Sequence, residues 1–247
     1  AGRETMNYDA AVILVAGVGT RLRPLTADRP KALVQVGERT ILLRAIELRL
    51  ARGIREIVLA TGYREDQIQK AVAQVPARVT LCANPDYAST QNSVSLGLCR
   101  PALVGKSFLK LDGDLVFDPR VLDRLLAAEA ELVVAVDSRR ELDAEAMKIR
   151  INSAGIAAFG KALPVSEAHA ETLGIEGLSA RAAGLVFDAI DDAVGRGRRD
   201  LYYEDVYSSL IAAGQLQAQA VEAGDLEWSE VDNHDDLERA RSVASRC

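Results

Sequence analysis

The sequence predicts an α/β protein: a Rossmann-like, doubly wound sheet, mixed but mostly parallel, with a small lobe inserted over the carboxyl ends of its strands. Up to Asp137, short and wholly apolar segments alternate with longer amphipathic ones, which is typical of parallel strands covered by helices on both faces. After Asp137 the pattern changes, because MKIRI (147–151) and GIAAFG (155–160) are spaced like a hairpin. A chain of 247 residues is long enough to bury one large core.

The elements follow in order from the apolar pattern. Five segments have the length and composition of buried strands, namely residues 10–16, 56–61, 78–84, 107–114 and 132–137. Amphipathic segments predict helices over residues 40–53, 64–75, 119–131, 203–213 and 235–244. In the last third, AAGLVFD (182–188) predicts another strand and residues 216–221 predict a short one.

Charge and residue usage exclude several classes of function. Thirty Lys and Arg against 36 Asp and Glu give a net charge of −6 without a basic stripe, so nucleic acid is not an expected partner. No apolar run reaches the roughly 18 residues of a membrane span, and residues 1–10 lack the apolar stretch of a signal peptide. Three scattered Cys and two His argue against a zinc cluster, a disulfide framework or a Ser-His-Asp hydrolase, and they suit a reducing cytoplasm.

A glycine-rich turn follows the first predicted strand. Gly17 and Gly19 stand one residue apart, where small residues let backbone N–H groups approach an anion. The spacing fits neither a Walker loop nor the dinucleotide fingerprint, whose third glycine would fall at Leu22. Residues 17–31 carry three arginines and Lys31 against one aspartate, so the turn indicates a phosphate site. The alternative is an ordinary strand–helix turn with solvated arginines.

Two pairs of carboxylates repeat one spacing far apart in the chain. Asp112 and Asp114 come at the end of a predicted strand, and Glu230 and Asp232 follow Trp228. Residues two apart on a strand face the same way, so each pair can address one site. Two carboxylates together with substrate phosphates are the usual way in which proteins hold Mg²⁺. Each pair taken alone is equally well explained as an acidic surface turn.

These segments together resemble the nucleotidyltransferase superfamily, whose members make NDP-sugars and CDP-alcohols. The resemblance is carried by GVGTRL (17–22), PLT (24–26) and PK (30–31), and it implies a Rossmann-like fold whose glycine-rich loop holds a nucleoside triphosphate. It further implies that Arg21 grips the departing pyrophosphate and that Lys31 lies between the nucleotide and the acceptor phosphate. The catalytic residues that it implies are Arg21, Lys31, Asp114 and Asp232; the metal ligands are Asp114 and Asp232, with Glu230 as a second choice.

Further segments resemble one branch of that superfamily, the bacterial phosphocholine and the 2-aminoethylphosphonate cytidylyltransferases. The segments are NSVSL (92–96), DGD (112–114), MK (147–148), YED (203–205) and WSEVD (228–232), and the likeness extends from about residue 10 to residue 241. It implies Mg²⁺-dependent transfer of CMP from CTP to a small phosphoalkyl or phosphonoalkyl acceptor, with release of pyrophosphate. The nucleotide-binding residues that it implies are Ala16, Gly17, Gly19, Thr20, Asn92, Ser95 and Asp112. The acceptor-binding residues are Lys148, Lys161, Tyr203, Glu204 and Asp205.

Alternatives stay open at the level of sequence. Asn92 suits base recognition and helix capping, and the Tyr203-Glu204-Asp205 cluster suits an ammonium group or the first turn of a helix. Residues 170–175 match the family's pattern imperfectly, so an acceptor without an amine, such as a hydroxyalkylphosphonate, stays open. The rival functions are a sugar-1-phosphate nucleotidyltransferase that uses UTP, dTTP or GTP, and a non-catalytic nucleotide-binding regulatory module.

We therefore expect one nucleotidyltransferase domain over residues 1–247. Its core is expected at about 8–137 and 182–245, and its acceptor-binding lobe at about 138–181 with 198–207. The expected partners are CTP and the small phosphate- or phosphonate-bearing acceptor, with no nucleic acid and no membrane; a homodimer is left open. The expected location is the cytoplasm.

Overall fold

The computed structural model describes residues 7–247, in which a central sheet of nine strands carries helices on both faces. The strands are β1 (Ala10–Leu14), β2 (Gln35–Val36), β3 (Arg39–Thr40), β4 (Glu56–Thr61), β5 (Arg78–Ala83), β6 (Phe108–Asp112), β7 (Leu115–Phe117), β8 (Leu132–Asp137), β9 (Lys148–Asn152), β10 (Gly155–Gly160), β11 (Ala170–Leu178), β12 (Ala218–Glu222) and β13 (Trp228–Glu230). The helices are α1 (Ile41–Leu50), α2 (Glu65–Val72), α3 (Asn92–Gly97), α4 (Arg100–Leu103), α5 (Arg120–Leu126), α6 (Ala180–Gly195), α7 (Tyr203–Ala212) and α8 (His234–Arg246). None of the helices within residues 7–247 is both long and apolar enough to cross a membrane.

The two parts of the sheet meet on β11. Along one edge β11 pairs with β8, which in turn pairs with β12. Along the other edge its first residues pair with β9 and its last with β6, from which β1, β4 and β5 follow. β10 and β11 run antiparallel to their neighbours, and the other seven strands share one direction. The prediction of a mixed, mostly parallel, doubly wound sheet is therefore confirmed.

The central strands are buried on both faces, which explains their continuous apolar sequences. In β1, Ala10 and Val12 belong to the apolar cluster formed with α3, α6 and α7. Ala11 and Ile13 belong to the cluster on the opposite face, formed with α1 and α5. Because all four side chains are fully buried, the end of β1 has a fixed position beneath the glycine-rich turn.

The predicted strand over residues 182–188 is wrong, because this segment lies in α6. Ala182, Val186 and Ile190 recur at helical spacing and are buried. At the helix start the hydroxyl of Ser179 accepts a hydrogen bond from the N–H of Ala182 (3.1 Å). A short apolar run is ambiguous between a strand and a buried helix, and here it is part of a helix of 16 residues.

β11 is a strand that the sequence pattern did not predict. It contains Glu171, Glu176 and two glycines, so it lacks the apolar pattern of a strand, yet all nine of its residues are buried. Its pairing with β8 shifts register between Thr172 and Glu176, and Gly174 has a left-handed φ of 76° there. The predicted hairpin is present as β9 and β10, and the short strand predicted at residues 216–221 is β12.

Candidate active site

The turn after β1 presents a row of free backbone donors. The N–H groups of residues 16–21 donate no hydrogen bond to any acceptor within residues 7–247. The turn itself is held in place, because the hydroxyl of Thr26 donates to the carbonyl of Gly19 (2.6 Å) and the N–H of Tyr63 donates to that of Ala16 (3.1 Å). A fixed run of unpaired N–H groups forms an anion-binding concavity, as the two glycines predict.

Gly19 allows this turn to pack closely against Lys31. Its φ of 67° is left-handed, and a Cβ atom there would lie 2.7 Å from the Cβ of Lys31. Lys31 begins a 3₁₀ turn, Lys31–Leu33, directly after Pro30. The 3₁₀ turn therefore places the Lys31 side chain directly against the glycine-rich turn.

Asp114 is positioned by the end of the central strand β6. Gly113 follows this strand, and its N–H donates to the carbonyl of Leu14 on β1 (2.9 Å). A side chain at position 113 would collide with the same carbonyl. Gly113 thus brings Asp114 beside the glycine-rich turn.

Asp232 reaches the same place from far along the chain. β13 pairs with β7, and the N–H of Val231 donates to the carbonyl of Asp114 (2.9 Å). Directly after Asp232, Asn233 and Asp236 form the capping box of α8, and the Asp236 carboxylate also accepts from the N–H of Asp232 (3.1 Å). Strand pairing and helix capping together fix Asp232 opposite Asp114.

Lys31 joins these two carboxylates. Its Nζ lies 2.6 Å from Oδ2 of Asp114 and 2.8 Å from Oδ1 of Asp232, and Nη2 of Arg21 lies 2.7 Å from Oδ2 of Asp232. Burial alone would lower the pKa of Lys31, but the two carboxylates raise it above its ordinary value. Burial opposes the ionisation of Asp232, yet Lys31 and Arg21 lower its pKa below the ordinary value. The four residues form one network of fixed charges.

A divalent cation fits the carboxylates of this network. Asp114, Glu230 and Asp232 each offer an oxygen atom, and the three atoms lie within 4.8 Å of one another. Oδ1 of Asp114 is buried and has no hydrogen-bond partner within residues 7–247. Glu230 as a whole is exposed, but desolvation of its carboxyl group and the charges of Asp114 and Asp232 raise its pKa above the ordinary value. Clustered carboxylate oxygens are what Mg²⁺ and similar hard ions bind.

Asp112 belongs to a second, buried cluster below the network. Its carboxylate pairs with Nζ of Lys110 (3.0 Å) and accepts from the hydroxyl of Tyr203 (2.9 Å). Lys110 is fully buried; its Nζ also pairs with Glu176 (2.9 Å) and lies 3.5 Å from the centroid of the Tyr203 ring. Glu204 is buried nearby, and its Oε2 has no hydrogen-bond partner within residues 7–247.

A cavity of about 450 Å³ opens beside both clusters. Nine carboxyl groups line it, from Asp112, Glu141, Asp143, Glu145, Glu171, Glu204, Glu230, Asp232 and Asp236. Four cations line it, from Arg21, Arg140, Lys161 and Arg239. The cavity thus has five more acidic groups than cations, and Asn92, Tyr202 and Trp228 add polar and aromatic surface.

The residues that the resemblance assigns to the acceptor divide into two groups. Glu204 and Lys161 line the cavity. Tyr203 is fully buried, and the Asp205 carboxylate accepts the N–H of Tyr202 (2.9 Å) at the start of α7. Lys148 is buried as well, and its Nζ donates to the carbonyls of two residues in the preceding loop, Asp143 (2.9 Å) and Ala146 (3.2 Å).

The residues assigned to the nucleotide divide in the same way. Ala16, Gly17, Gly19 and Thr20 form the turn with free N–H groups. Asn92 and Asp112 line the cavity, and the Asn92 carbonyl oxygen accepts from the N–H of Tyr203 (3.0 Å). Ser95 is buried, and its hydroxyl accepts a hydrogen bond from Nδ2 of Asn84 (2.9 Å), which ties α3 to the segment after β5.

Three cavity residues have no role in the resemblance: Arg140, Glu171 and Tyr202, the last of which belongs to the aromatic and acidic cluster but is passed over in favour of Tyr203. Tyr202 precedes the first helical residue, so it lines the cavity while Tyr203 enters the core. The Arg140 guanidinium lies 4.6 Å from the centroid of the Trp228 ring and 3.4 Å from Oε1 of Glu171. Burial raises the pKa of Glu171 to about 7, although Arg140 opposes the shift. The start of α7 is the sequence signal that could identify Tyr202, because the residue that caps a helix points in a different direction from the first helical residue.

Family comparison agrees with this geometry. The model of the MobA-like NTP transferase domain matches residues 11–203, and the chain belongs to this family. The resemblance that the motifs indicate is thereby confirmed. The matched segment contains the glycine-rich turn, Lys31 and Asp114.

Several known proteins are similar to the chain. The CMP-5'-(3-aminopropyl)phosphonate synthase of Streptomyces rubellomurinus is 31% identical over 244 residues, which cover 93% of this chain and 38% of the relative. The inositol-1-phosphate CTP transferase of T. maritima has a TM-score of 0.81 at 21% identity, with 97% of each chain covered. The CTP:phosphocholine cytidylyltransferase of Streptococcus pneumoniae has a TM-score of 0.76 at 23% identity, with 96% of this chain and 100% of the other covered. The two solved structures establish the fold, and the chain spans 38% of the length of the Streptomyces relative.

Proposed function

We propose that the chain is a Mg²⁺-dependent cytidylyltransferase that transfers CMP from CTP to a small phosphoalkyl or phosphonoalkyl acceptor and releases pyrophosphate. The observation that carries the proposal is the contact of Lys31 with both Asp114 (2.6 Å) and Asp232 (2.8 Å) beside a turn of free N–H groups. This arrangement puts an anion cradle, a buried cation and a pair of carboxylates within one site. The names of the relatives, which refer to CMP or CTP, support cytidine as the nucleoside.

The nucleotide is held by the glycine-rich turn. Its free N–H groups and the Arg21 guanidinium address the phosphates, and Arg21 neutralises the pyrophosphate as it departs. Asn92 and Asp112 at the cavity wall are the side chains proposed to contact the nucleoside. Ser95 lies in the same helix as Asn92 and is proposed to hold that helix in position through its hydrogen bond with Asn84.

The metal site is formed by Asp114 and Asp232, with Glu230 within reach as a third ligand. A bound Mg²⁺ supplies positive charge to the triphosphate oxygens. Asp114 and Asp232 would hold the ion through carboxylates that contact Lys31 here, and the ammonium of Lys31 would then be available to a phosphate. The lysine then neutralises charge where the nucleotide and the acceptor phosphate meet.

The reaction needs no general base. An anionic oxygen of the acceptor phosphate or phosphonate forms a bond to the α-phosphorus of CTP, and the bond from that phosphorus to the β-bridging oxygen breaks. The electron pair of that bond leaves with pyrophosphate, and no net oxidation occurs. The protein contributes alignment of two anions and neutralisation of the leaving group, which agrees with a cavity whose lining within residues 7–247 includes no His or Cys.

The acceptor lobe is proposed to favour an acceptor with a cationic end. Acidic groups outnumber cations by five along the cavity, and Glu204 has a buried oxygen without a hydrogen-bond partner within residues 7–247. Tyr202 and Trp228 offer aromatic faces, and an ammonium group binds well between carboxylates and aromatic rings. Lys161, whose Nζ lies 5.5 Å from the centroid of the Tyr202 ring, is the cation proposed for the acceptor phosphate.

A matrix of pyrophosphate-release assays tests the proposal. CTP and UTP are each combined with phosphocholine, 2-aminoethylphosphonate, 2-hydroxyethylphosphonate and glucose 1-phosphate, with Mg²⁺ and with EDTA. We expect release with CTP and an amine-bearing acceptor, and none in EDTA. Activity confined to UTP with glucose 1-phosphate would reject the assignment, and nucleotide binding without release in any combination would favour a regulatory module.

A further inference from the structure

A second cavity, here called the arginine cleft, lies beside the main one. It has a volume of about 460 Å³ and is bounded by the end of β8, the turn before β13 and one face of α8. Its lining cations are Arg139, Arg140, Arg239 and Arg246, and its lining carboxylates are Asp137 and Glu227. The cleft therefore has two more cations than acidic groups, whereas the main cavity has five more acidic groups than cations.

The arginines of the cleft keep donors free for a ligand. Arg139 forms no ion pair within residues 7–247, and Arg140 reaches Glu171 only at 3.4 Å. Arg239 pairs with Asp236 through Nη2 alone. Arg246 pairs with Glu227 (2.6 Å) and also donates to the carbonyl (3.3 Å) and the hydroxyl (2.6 Å) of Ser242. Each guanidinium has five N–H donors, so Arg139, Arg140 and Arg239 keep most of theirs for a ligand, and Arg246 keeps fewer.

We propose that the arginine cleft binds a small oligophosphate anion, separately from the glycine-rich turn. Guanidinium groups hold phosphate oxygens in pairs, and several of them converge here on a concave surface of small-molecule size. The apolar lining residues Leu226, Trp228 and Val243 exclude water from part of the surface, which strengthens such contacts.

The cleft is coupled to the main cavity through shared residues. Arg140, Trp228 and Arg239 line both. An anion in the cleft competes with Glu171 for the Arg140 guanidinium, and Glu171 lines the main cavity. Occupation of the cleft therefore changes the charge that the acceptor side of the main cavity presents.

Trp228 is the only tryptophan of the chain and lines both cavities, so its fluorescence reports binding in either one, and the variants below assign the site. The experiment is a titration with inorganic pyrophosphate in EDTA, followed by Trp228 fluorescence and by calorimetry in parallel. We expect saturable binding that Arg139→Ala weakens about tenfold, the loss expected for one charge-assisted contact. The affinity of Arg139→Lys for pyrophosphate is expected to lie between those of the wild type and Arg139→Ala. The same titration with CTP in the Arg21→Ala variant, whose glycine-rich turn is disabled, distinguishes free pyrophosphate from the phosphate tail of a nucleotide as the ligand of the cleft.

Two control variants locate the anion. Arg196→Ala removes the same charge from an exposed side chain whose ion pair within residues 7–247 is with Asp192, and it is expected to leave binding unchanged. Arg21→Ala disables the glycine-rich turn and is expected to leave the cleft intact. Binding that is lost in Arg21→Ala and kept in Arg139→Ala would overturn the proposal, as would equal weakening by Arg196→Ala or the absence of both heat and fluorescence change. None of these measurements requires turnover, so the result is independent of the proposed transferase activity.

Discussion

Lys31 is the residue on which the proposed chemistry depends most. Its side chain is 16% exposed and stands between two carboxylates. In the proposed reaction this compact positive charge would offset the repulsion between two phosphates. Lysine is also unusual here, since the chain has six lysines against 24 arginines. A point charge without a planar fork suits a phosphate that moves during the reaction.

We predict that Lys31→Ala lowers pyrophosphate release about 10²–10³-fold, the usual effect of removing one preorganised electrostatic contact. Asp114→Asn is expected to cause a loss of the same order, because it removes a carboxylate from the proposed metal site. Steady-state assays together with circular dichroism measure activity and fold. Lys70→Ala, at a side chain 80% exposed on α2, serves as the matched control. Normal turnover in either site variant would contradict the roles given to Lys31 and Asp114.

Glu204 allows a prediction about pH. Burial raises its pKa to about 8 against an ordinary 4.5; Asp112 and Glu176 add to the shift and Lys110 opposes it. A carboxyl group with a raised pKa contributes stability that is full below about pH 4.5 and is lost as the pH rises through about 8. Glu204→Gln keeps the shape and cannot ionise, so its free energy of unfolding should fall less than that of the wild type between about pH 5 and pH 8.

Urea unfolding at several pH values measures this difference. The wild-type curve is expected to decline relative to that of Glu204→Gln as the pH rises, with the two closest at the acid end. Parallel curves over the whole range would show that the pKa of Glu204 is not raised. The comparison of two nearly isosteric side chains separates ionisation from packing.

How far single residues could be predicted depends on what positions them. Arg21, Lys31, Asp114 and Asp232 come together in the structure because strand ends and the capping box of α8 fix them, and short motifs mark those places. Tyr203 is different, because it is the first residue of α7 and the rotational position of its side chain around the helix axis places the ring in the core. The rotational position of α7 depends on how the helix packs against the sheet, which a motif of three residues does not encode.

At the scale of elements, the bulge in β11 holds the site in shape. Gly174 has a φ of 76°, and a Cβ atom there would collide with the carboxylate of Asp112. The N–H of Gly174 donates to the hydroxyl of Thr172 (3.0 Å), which closes the bulge. Only glycine fits both the backbone conformation and the space.

We predict that Gly174→Ala destabilises the fold by about 1–3 kcal/mol, the range for a strained left-handed residue. It should also lower activity, because the Asp112 carboxylate must move. Urea unfolding and pyrophosphate release measure the two effects. Gly184→Ala in α6 is the matched control, since its added Cβ would meet no neighbouring atom within 4 Å outside the helix backbone, and it is expected to stabilise by about 0.5–1 kcal/mol. Equal stability of both variants would remove the argument for strain at Gly174.

The elements differ in how well the sequence predicts them. The parallel strands β1, β4, β6 and β8 are largely continuous apolar runs because both of their faces are buried, so the pattern alone predicts them. β11 contains buried polar residues whose partners lie on a neighbouring strand, as Glu176 pairs with Lys110 of β6. The sequence of β11 alone therefore does not show that the strand is buried. The apolar pattern predicts a strand over residues 182–188 where the structure has a helix, because a short apolar run does not reveal its period.

At the scale of the whole molecule, we expect the fold not to depend on the proposed metal. The apolar clusters on the two faces of the sheet supply the core, and Lys31 neutralises the carboxylates of Asp114 and Asp232. We predict that EDTA abolishes pyrophosphate release and shifts the thermal midpoint by less than about 2–4 °C, which corresponds to about 1 kcal/mol. Thermal melts with and without EDTA check this, and re-addition of Mg²⁺ should restore activity. Unfolding caused by EDTA would contradict the proposed balance of charges.

The distribution of charge along the chain agrees with the proposed site. Residues 17–31 carry three arginines and one lysine against one aspartate, and they include the turn with free N–H groups. Residues 200–247 hold eleven acids and three arginines, and they contribute Glu204, Glu230, Asp232 and Asp236 to the cavity. The fold brings the basic segment 17–31 and the acidic segment 200–247 together at the proposed site.

The central claim is that an oxygen of the acceptor attacks the α-phosphorus of CTP. The most direct measurement is ³¹P NMR of a reaction between CTP and 2-aminoethylphosphonate labelled with ¹⁸O in its phosphonate oxygens, in the presence of Mg²⁺. We predict equal amounts of pyrophosphate and a CMP–phosphonate product, with ¹⁸O in the bridge between the two phosphorus atoms. Formation of free CMP without this product, or of a product whose bridge lacks the label, would contradict the account.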